Sequence, residues 1–201
     1  MQGVYKGACP SFSHIIMQKR VFIIYCWEGT PNSRWYPWLK GELIRRDFDA
    51  KVPTMPNTNH PRQAAWLKHM ETVIGAPDKN TYLVGHSVGC IAILRYLEGL
   101  KKGQIVGGVV LVAGYTSDLG YYDLKSFFTK DVQWKKIRSH CNKFAAIHSD
   151  NDQYVSLHYA EFFKKKLNAE VIVEHKKGHF SIGDGNTLPD ALKSILKFSR
   201  E

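Results

Sequence analysis

Thr81-Tyr82-Leu83-Val84 is a short apolar run, and Gly85-His86-Ser87-Val88-Gly89 follows it at once. Cys90-Ile91-Ala92-Ile93-Leu94-Arg95-Tyr96-Leu97 then continues as a helix-like run. Strand, sharp turn and helix succeed one another with no space for a loop, and a serine stands at the bend. A chain with this succession must fold its helix straight back on the strand before it, which is the βα unit of a parallel sheet. Glycine has no Cβ, so at Gly85 and Gly89 the two elements can approach closely. The bend lifts the Ser87 hydroxyl above the sheet edge. It also leaves the Val88 N–H at the start of a helix, where the dipole favours a developing negative charge.

G-x-S-x-G between a strand and a helix is the setting of a serine nucleophile. The plainer alternative is a glycine-flanked turn whose serine only caps the helix. The two differ downstream, because a serine nucleophile needs a base, and the base needs an acid to hold its tautomer. Phe144-Ala145-Ala146-Ile147 reads as a buried strand running into His148-Ser149-Asp150-Asn151-Asp152-Gln153-Tyr154-Val155. Asp150 and Asp152 compete for the acid role, or serve as turn and capping residues before a helix. Glu170-Val171-Ile172-Val173-Glu174 reads as the next strand and leads into His175-Lys176-Lys177-Gly178-His179-Phe180. Of the nine histidines, His179 and His175 are the two that follow this strand. Serine, aspartate and histidine thus recur in order, each past the end of a strand.

That order, with D-x-x-V at Asp152-Gln153-Tyr154-Val155 and a histidine between a glycine and an aromatic at Gly178-His179-Phe180, resembles the α/β-hydrolase superfamily. Within it the chain is similar to the small serine hydrolases of the retinoblastoma-binding-protein-nine type over roughly residues 20–198. The likeness is carried by Trp35-Tyr36-Pro37-Trp38-Leu39-Lys40-Gly41-Glu42-Leu43, the elbow, Tyr115-Thr116-Ser117-Asp118-Leu119-Gly120 and Gly178-His179-Phe180. The resemblance implies Ser87 as nucleophile, Asp152 as acid and His179 as base. The second oxyanion donor is expected in the loop after the first strand, with the Trp27 N–H as the candidate beside that of Val88. Two departures matter. Bacterial relatives often carry His-Gly where this chain has Tyr25-Cys26, so the oxyanion loop is expected to be reshaped. The L-x-C-x-E pocket-protein motif of mammalian relatives is missing, and retinoblastoma-protein binding is not carried over.

Apolar runs alternate with amphipathic ones along the chain. Strands are expected near 21–25, 50–54, 81–85, 106–113, 143–148 and 170–174, and helices near 34–46, 61–74, 88–100, 156–167 and 188–199. Pro61 and Pro189 suit helix starts. The expectation is an α/β-hydrolase fold: a three-layer sandwich with a six-stranded, mainly parallel sheet and right-handed crossovers. At 201 residues with 44% hydrophobic residues, one domain over 19–201 is expected, preceded by a flexible extension over 1–18. No large cap domain fits. Residues 113–136 are the longest insertion, and their aromatics either form a small rim over the site or join the core.

The net charge is +10. The lysines cluster as solvated helix faces, with no zinc-ligand spacing, RNP motif or stacking platform beside them. This argues against nucleic acid as a partner and leaves a preference for anionic substrates open. Four scattered cysteines, at 9, 26, 90 and 141, suggest reduced thiols in a cytoplasmic setting. No secretory signal and no run of membrane-spanning length is expected, so membrane is not an expected partner. The chemistry expected is hydrolysis of a small-molecule ester, thioester or amide through an acyl-enzyme, with no metal or organic cofactor. A dehalogenase would carry aspartate in place of Ser87. The rival class is a non-catalytic interaction module on the same scaffold.

Overall fold

The computed structural model describes residues 18–181 and 183–200. The expected extension over 1–18, apart from Gln18, and Cys9 within it lie outside the described residues. Six strands, β1 (Arg20–Ile24), β2 (Asp49–Lys51), β3 (Thr81–His86), β4 (Gly108–Val112), β5 (Phe144–Ser149) and β6 (Glu170–Glu174), form one sheet in the order β2-β1-β3-β4-β5-β6. Every pairing is parallel, where a mainly parallel sheet was expected. β3, β4 and β5 are buried along their whole length. A strand covered on both faces has no polar face to present, and that is why these segments read as continuous apolar runs.

Among the described residues, six α-helices cover the sheet: α1 (Tyr36–Ile44), α2 (Gln63–Ile74), α3 (Val88–Gly99), α4 (Trp134–His140), α5 (His158–Leu167) and α6 (Pro189–Phe198). α1 packs on α6, while α2, α3, α4 and α5 pack successively on one another. The result is the three-layer α/β arrangement. α3 is central, with residues 88–98 all buried. Among the described residues, no helix is long and apolar enough to cross a membrane.

Two segments depart from the expected pattern. β2 is three residues long rather than five, because Pro53, two residues past its end, has no N–H to give to a ladder. Residues 113–136 contain a 3-10 helix, Tyr122–Phe128, and run into the unforeseen α4 at Trp134. A buried arginine on α3 organises them. Arg95 donates from Nε to the Phe127 carbonyl at 3.0 Å and from Nη1 to the Asp131 carbonyl at 3.1 Å. Its Nη1 also pairs with Glu98 at 2.9 Å, and Glu98 accepts the Gln133 N–H at 2.6 Å. A buried ion pair is tolerable when its remaining donors and acceptors are satisfied in this way.

The strand order reverses at β1. The chain leaves β1 towards β2 at one edge and then returns to place β3 on the other side. Ligands of open α/β sheets bind at such a switch point, beyond the carboxyl ends of the strands. The turn at Cys26-Trp27 and the bend at Ser87 emerge there.

Candidate active site

Ser87 has φ 55° and ψ −120°, a left-handed conformation that costs a non-glycine residue on the order of 1–3 kcal/mol. Its neighbours enforce it. A Cβ on Gly85 would stand 2.8 Å from the Cys90 backbone, and one on Gly89 would stand 2.1 Å from the Ile24 carbonyl oxygen. The elbow is therefore wedged between α3 and the end of β1. The Ser87 N–H donates to the Val112 carbonyl of β4 at 2.9 Å. With its backbone held on both sides, the side chain is left at the cavity floor, 7% exposed.

The Ser87 hydroxyl lies 3.0 Å from His179 Nε2, and His179 Nδ1 lies 2.7 Å from Asp152 Oδ2. A carboxylate only accepts, so Nδ1 carries the proton and Nε2 is free to accept from the serine. Asp152 Oδ1 accepts the N–H groups of Tyr154 and Val155, at 2.9 and 3.0 Å. One oxygen is fixed by the chain and the other faces the imidazole. This turn is the physical content of the D-x-x-V spacing. The rival pair, Asp150 and His175, meet each other instead: Asp150 Oδ2 lies 2.5 Å from His175 Nδ1, and Asp150 Oδ1 accepts the Lys176 N–H at 2.9 Å. Their side chains are 34% and 73% exposed. Together these two bonds pin the β6 exit to the β5 exit, outside the cavity, and hold the Asp150 carboxyl below its usual range.

A second buried line of polar groups runs beneath the first. His86 Nε2 lies 2.8 Å from the His179 carbonyl oxygen, and His86 Nδ1 lies 2.6 Å from the Tyr36 hydroxyl. The carbonyl only accepts, so Nε2 carries the proton and Nδ1 accepts the Tyr36 proton. Tyr36 Oη also lies 3.4 Å from both the Cys26 N and Sγ. Since the single phenol proton goes to the nearer partner, His86, both of these contacts are left for Cys26 to donate. Burial drives the His86 pKa well below its ordinary value, with the His179 charge adding to it. Burial likewise raises the Tyr36 hydroxyl and the Cys26 thiol. The line is thus uncharged and couples the turn after β1 to the backbone of His179.

The Cys26 side chain is buried, 3% exposed, and lies against Tyr36 and beside Gly29, whose N–H closes the turn on the Cys26 carbonyl at 3.1 Å. The Glu28 N–H donates to the Thr58 carbonyl. Among the described residues, neither the Trp27 N–H nor the Val88 N–H has a hydrogen-bond acceptor. The Trp27 indole is tied to the Asn59 carbonyl at 2.8 Å, which fixes this turn.

These groups surround a cavity of about 290 Å³, lined by Trp27, Ser87, Tyr115, Leu119, Tyr121 and His179 among others. The aromatics of residues 113–136 divide between the two roles expected of them. Tyr115 and Tyr121 face the cavity, and Tyr121 meets the Trp27 ring edge-on at 5.5 Å. Phe127 packs into the core against Trp66, and Trp134 against Phe162. Tyr154 stands edge-on over the His179 ring at 5.2 Å. Tyr115 is buried, which raises its phenol pKa, and the nearby Ser87 hydroxyl opposes that rise. The roles of His86, Tyr36 and Tyr115 do not follow from spacing. All three stand inside the stretches that carried the family resemblance, and this was the signal available.

The family model described as serine hydrolase matches residues 21–196. The hydrolase YdeN of Bacillus subtilis (strain 168) is 32% identical over 188 residues, covering 92% of this chain and 99% of that protein. The serine hydrolase RBBP9 of Rattus norvegicus is 30% identical over 165 residues, covering 81% and 86%. The crystal structure of the B. subtilis ydeN gene product superposes with a TM-score of 0.87 over 92% of this chain and all of that one, at 30% identity. Est1E of Butyrivibrio proteoclasticus, at 13% identity and a TM-score of 0.71 over 91% and 87% of the two chains, shares the fold. The chain belongs to the serine hydrolase family and is an esterase-like enzyme of the α/β-hydrolase fold.

Proposed function

We propose that the protein hydrolyses a carboxylic ester, or the related thioester or amide, through a Ser87-His179-Asp152 triad and an acyl-enzyme intermediate. The observation that carries this reading is the unbroken hydrogen-bonded line from the Asp152 carboxylate through His179 to the Ser87 hydroxyl. His179 Nε2 takes the Ser87 proton as Oγ attacks the acyl carbonyl. The oxyanion accepts from the Val88 and Trp27 N–H groups, each such donor contributing about 3 kcal/mol at the transition state. His179 then gives its proton to the leaving group. Water, deprotonated by the same imidazole, cleaves the acyl-enzyme and restores Ser87. Every proton and charge in this cycle is handled by groups of this chain, so the reading needs no metal or organic cofactor.

A cavity of about 290 Å³ is at the small end of ligand pockets, roughly 300–1,000 Å³. Small acyl groups are therefore the expected substrates. The buried thiols of Cys26, Cys90 and Cys141 are free, in keeping with a reducing, cytoplasmic setting.

A fluorophosphonate probe with 4-nitrophenyl esters of increasing chain length tests the reading. Wild type is expected to label and to turn over the shorter esters best, and Ser87→Ala to do neither. Folded wild-type protein that neither labels nor turns over any ester is a non-catalytic module on this scaffold, and the proposal falls.

A further inference from the structure

Arg34 lies between the Trp27 turn and α1, and its side chain lines the same cavity as Ser87 and His179. It is held there by a left-handed backbone, φ 59°. A guanidinium offers five donors. Among the described residues, its Nε is buried with no hydrogen-bond partner, and no carboxylate lies within ion-pairing distance. Its one bond runs from Nη1 to Ser33 Oγ at 3.3 Å. That oxygen already accepts the Thr30 N–H and donates to the Thr30 carbonyl.

An unpaired buried donor on a permanently charged group is costly. The polar groups beside Arg34 do not neutralise it. The Cys26 thiol, raised by burial, stays protonated; His86, lowered by burial, stays neutral; both feel the Arg34 charge. Glu28 also lines the cavity, but it is exposed and unpaired with Arg34. The cavity wall thus holds a planar cation with no anionic partner of its own, the kind of group that grips a carboxylate through charge-assisted hydrogen bonds. The net charge of +10 adds long-range attraction for an anion.

We propose that Arg34 is an anion-binding residue of the Ser87 cavity, and that the substrates are esters carrying a carboxylate close to the scissile acyl group. This rests on the hydrolase reading of Ser87. The carboxylate can belong to the acyl part or to the leaving group, and the two are separable. The first pair of substrates is 4-nitrophenyl hydrogen adipate and its methyl ester. The second is 4-(butyryloxy)benzoate and its methyl ester.

Wild type is expected to show kcat/KM for at least one acid roughly tenfold or more above its methyl ester, the size of one charge-assisted contact, expressed mainly in KM. Arg34→Met should collapse that ratio to about one, and Arg34→Lys should keep part of it. The ratio cancels any general loss of activity in a variant, and Arg34→Lys covers the case in which Arg34→Met folds poorly. A wild-type ratio at or below one for both pairs overturns the proposal, as does a ratio that both variants leave unchanged. If the methyl esters are cleaved and Ser87 labels, that failure is confined to Arg34. If neither occurs, the hydrolase reading fails and this one with it.

Discussion

The Nε2 nitrogen of His86 donates to the backbone carbonyl of His179 at 2.8 Å, so the residue before the candidate nucleophile holds the main chain of the candidate base. The two are 93 positions apart in sequence. The contact sets the height of the His179 loop over the elbow, and Tyr36 sets the ring of His86 in turn. His86→Phe fills much of the same volume but leaves the His179 carbonyl without its donor and the Tyr36 proton with only the Cys26 sulfur, 3.4 Å away, to meet. Losing these two buried bonds should cost about 2–4 kcal/mol of stability. A His179 displaced by about 1 Å should lose roughly a hundredfold in kcat with less change in KM. His86→Gln, whose amide can donate to the carbonyl, should recover part of both. Urea unfolding midpoints and 4-nitrophenyl butyrate kinetics on the three proteins check this, and equal behaviour of the Phe and Gln variants would count against it.

Stability should fall in mild acid because two buried histidines resist protonation. The pKa values of His86 and His148 are both lowered in the folded protein, chiefly by burial. Unfolded, each would titrate near its ordinary value of about 6.5. Between the lowered folded value and that unfolded value, the unfolded chain binds the extra proton, so stability rises with pH in that window. It is fully present above the unfolded value and is lost as pH falls below it. From pH 7.5 to 5.5 each histidine should lower stability, by at most about 1.4 kcal/mol, the ceiling set by titration of the unfolded chain. The pH dependence of His86→Gln should be shallower than wild type by one such contribution, read from urea unfolding at the two pH values. Parallel curves would mean that His86 takes up its proton at the same pH in the folded as in the unfolded chain.

The two aspartates after β5 should separate by orders of magnitude. Asp152 Oδ2 fixes the proton on His179 Nδ1, and an amide in its place can present a donor to that nitrogen and invert the tautomer. Asp152→Asn should lower kcat about 10⁴-fold, as tautomer loss does in serine triads. Asp150 touches only His175 and the Lys176 N–H at the surface. Asp150→Asn should stay within about threefold of wild type, since a solvent-screened ion pair outside the cavity holds none of the reacting groups. Steady-state hydrolysis of 4-nitrophenyl acetate by both variants decides it; a larger loss in Asp150→Asn would transfer the acid role.

Much of this was legible in the sequence because each part leaves a local trace. Covered parallel strands leave continuous apolar runs, the elbow leaves two glycines around Ser87, and the Asp152 turn leaves a valine three residues on. α4 left no such trace: its Trp134 and Ile137 are the apolar contacts of a seven-residue helix, too short for a clear period, and its position is set by Arg95 and Glu98 from α3. The His86–Tyr36 line was hidden for another reason. Its members come from β3, α1 and the turn after β1, and only tertiary packing makes them neighbours. In the sequence Arg34 is one cation among many in a basic chain; its missing partner is a property of the folded cavity alone.

Gly89 and Gly99 both lie on α3, and alanine at the two positions should have opposite effects. A Cβ on Gly89 would approach the Ile24 carbonyl oxygen to 2.1 Å and the Tyr25 carbonyl oxygen to 2.9 Å. Both are main-chain atoms where β1 ends, so neither can swing aside as a side chain would. Relief requires α3 or β1 to move, and either motion shifts Ser87 relative to the Trp27 turn. Overpacking against such a frame should cost about 3 kcal/mol or more, and the surviving folded protein should show kcat lowered further than KM is raised. Gly99 ends the same helix, is exposed, and has nothing within 4 Å of an added Cβ. There alanine should be neutral or stabilise by up to about 1 kcal/mol through helix propensity. Thermal unfolding of the two variants, with fluorophosphonate labelling of Ser87, reads both effects. A Gly89→Ala protein that melts and labels like wild type would show that the elbow has slack, and the close approach of β1 to α3 would then not be what holds Ser87 in its strained turn.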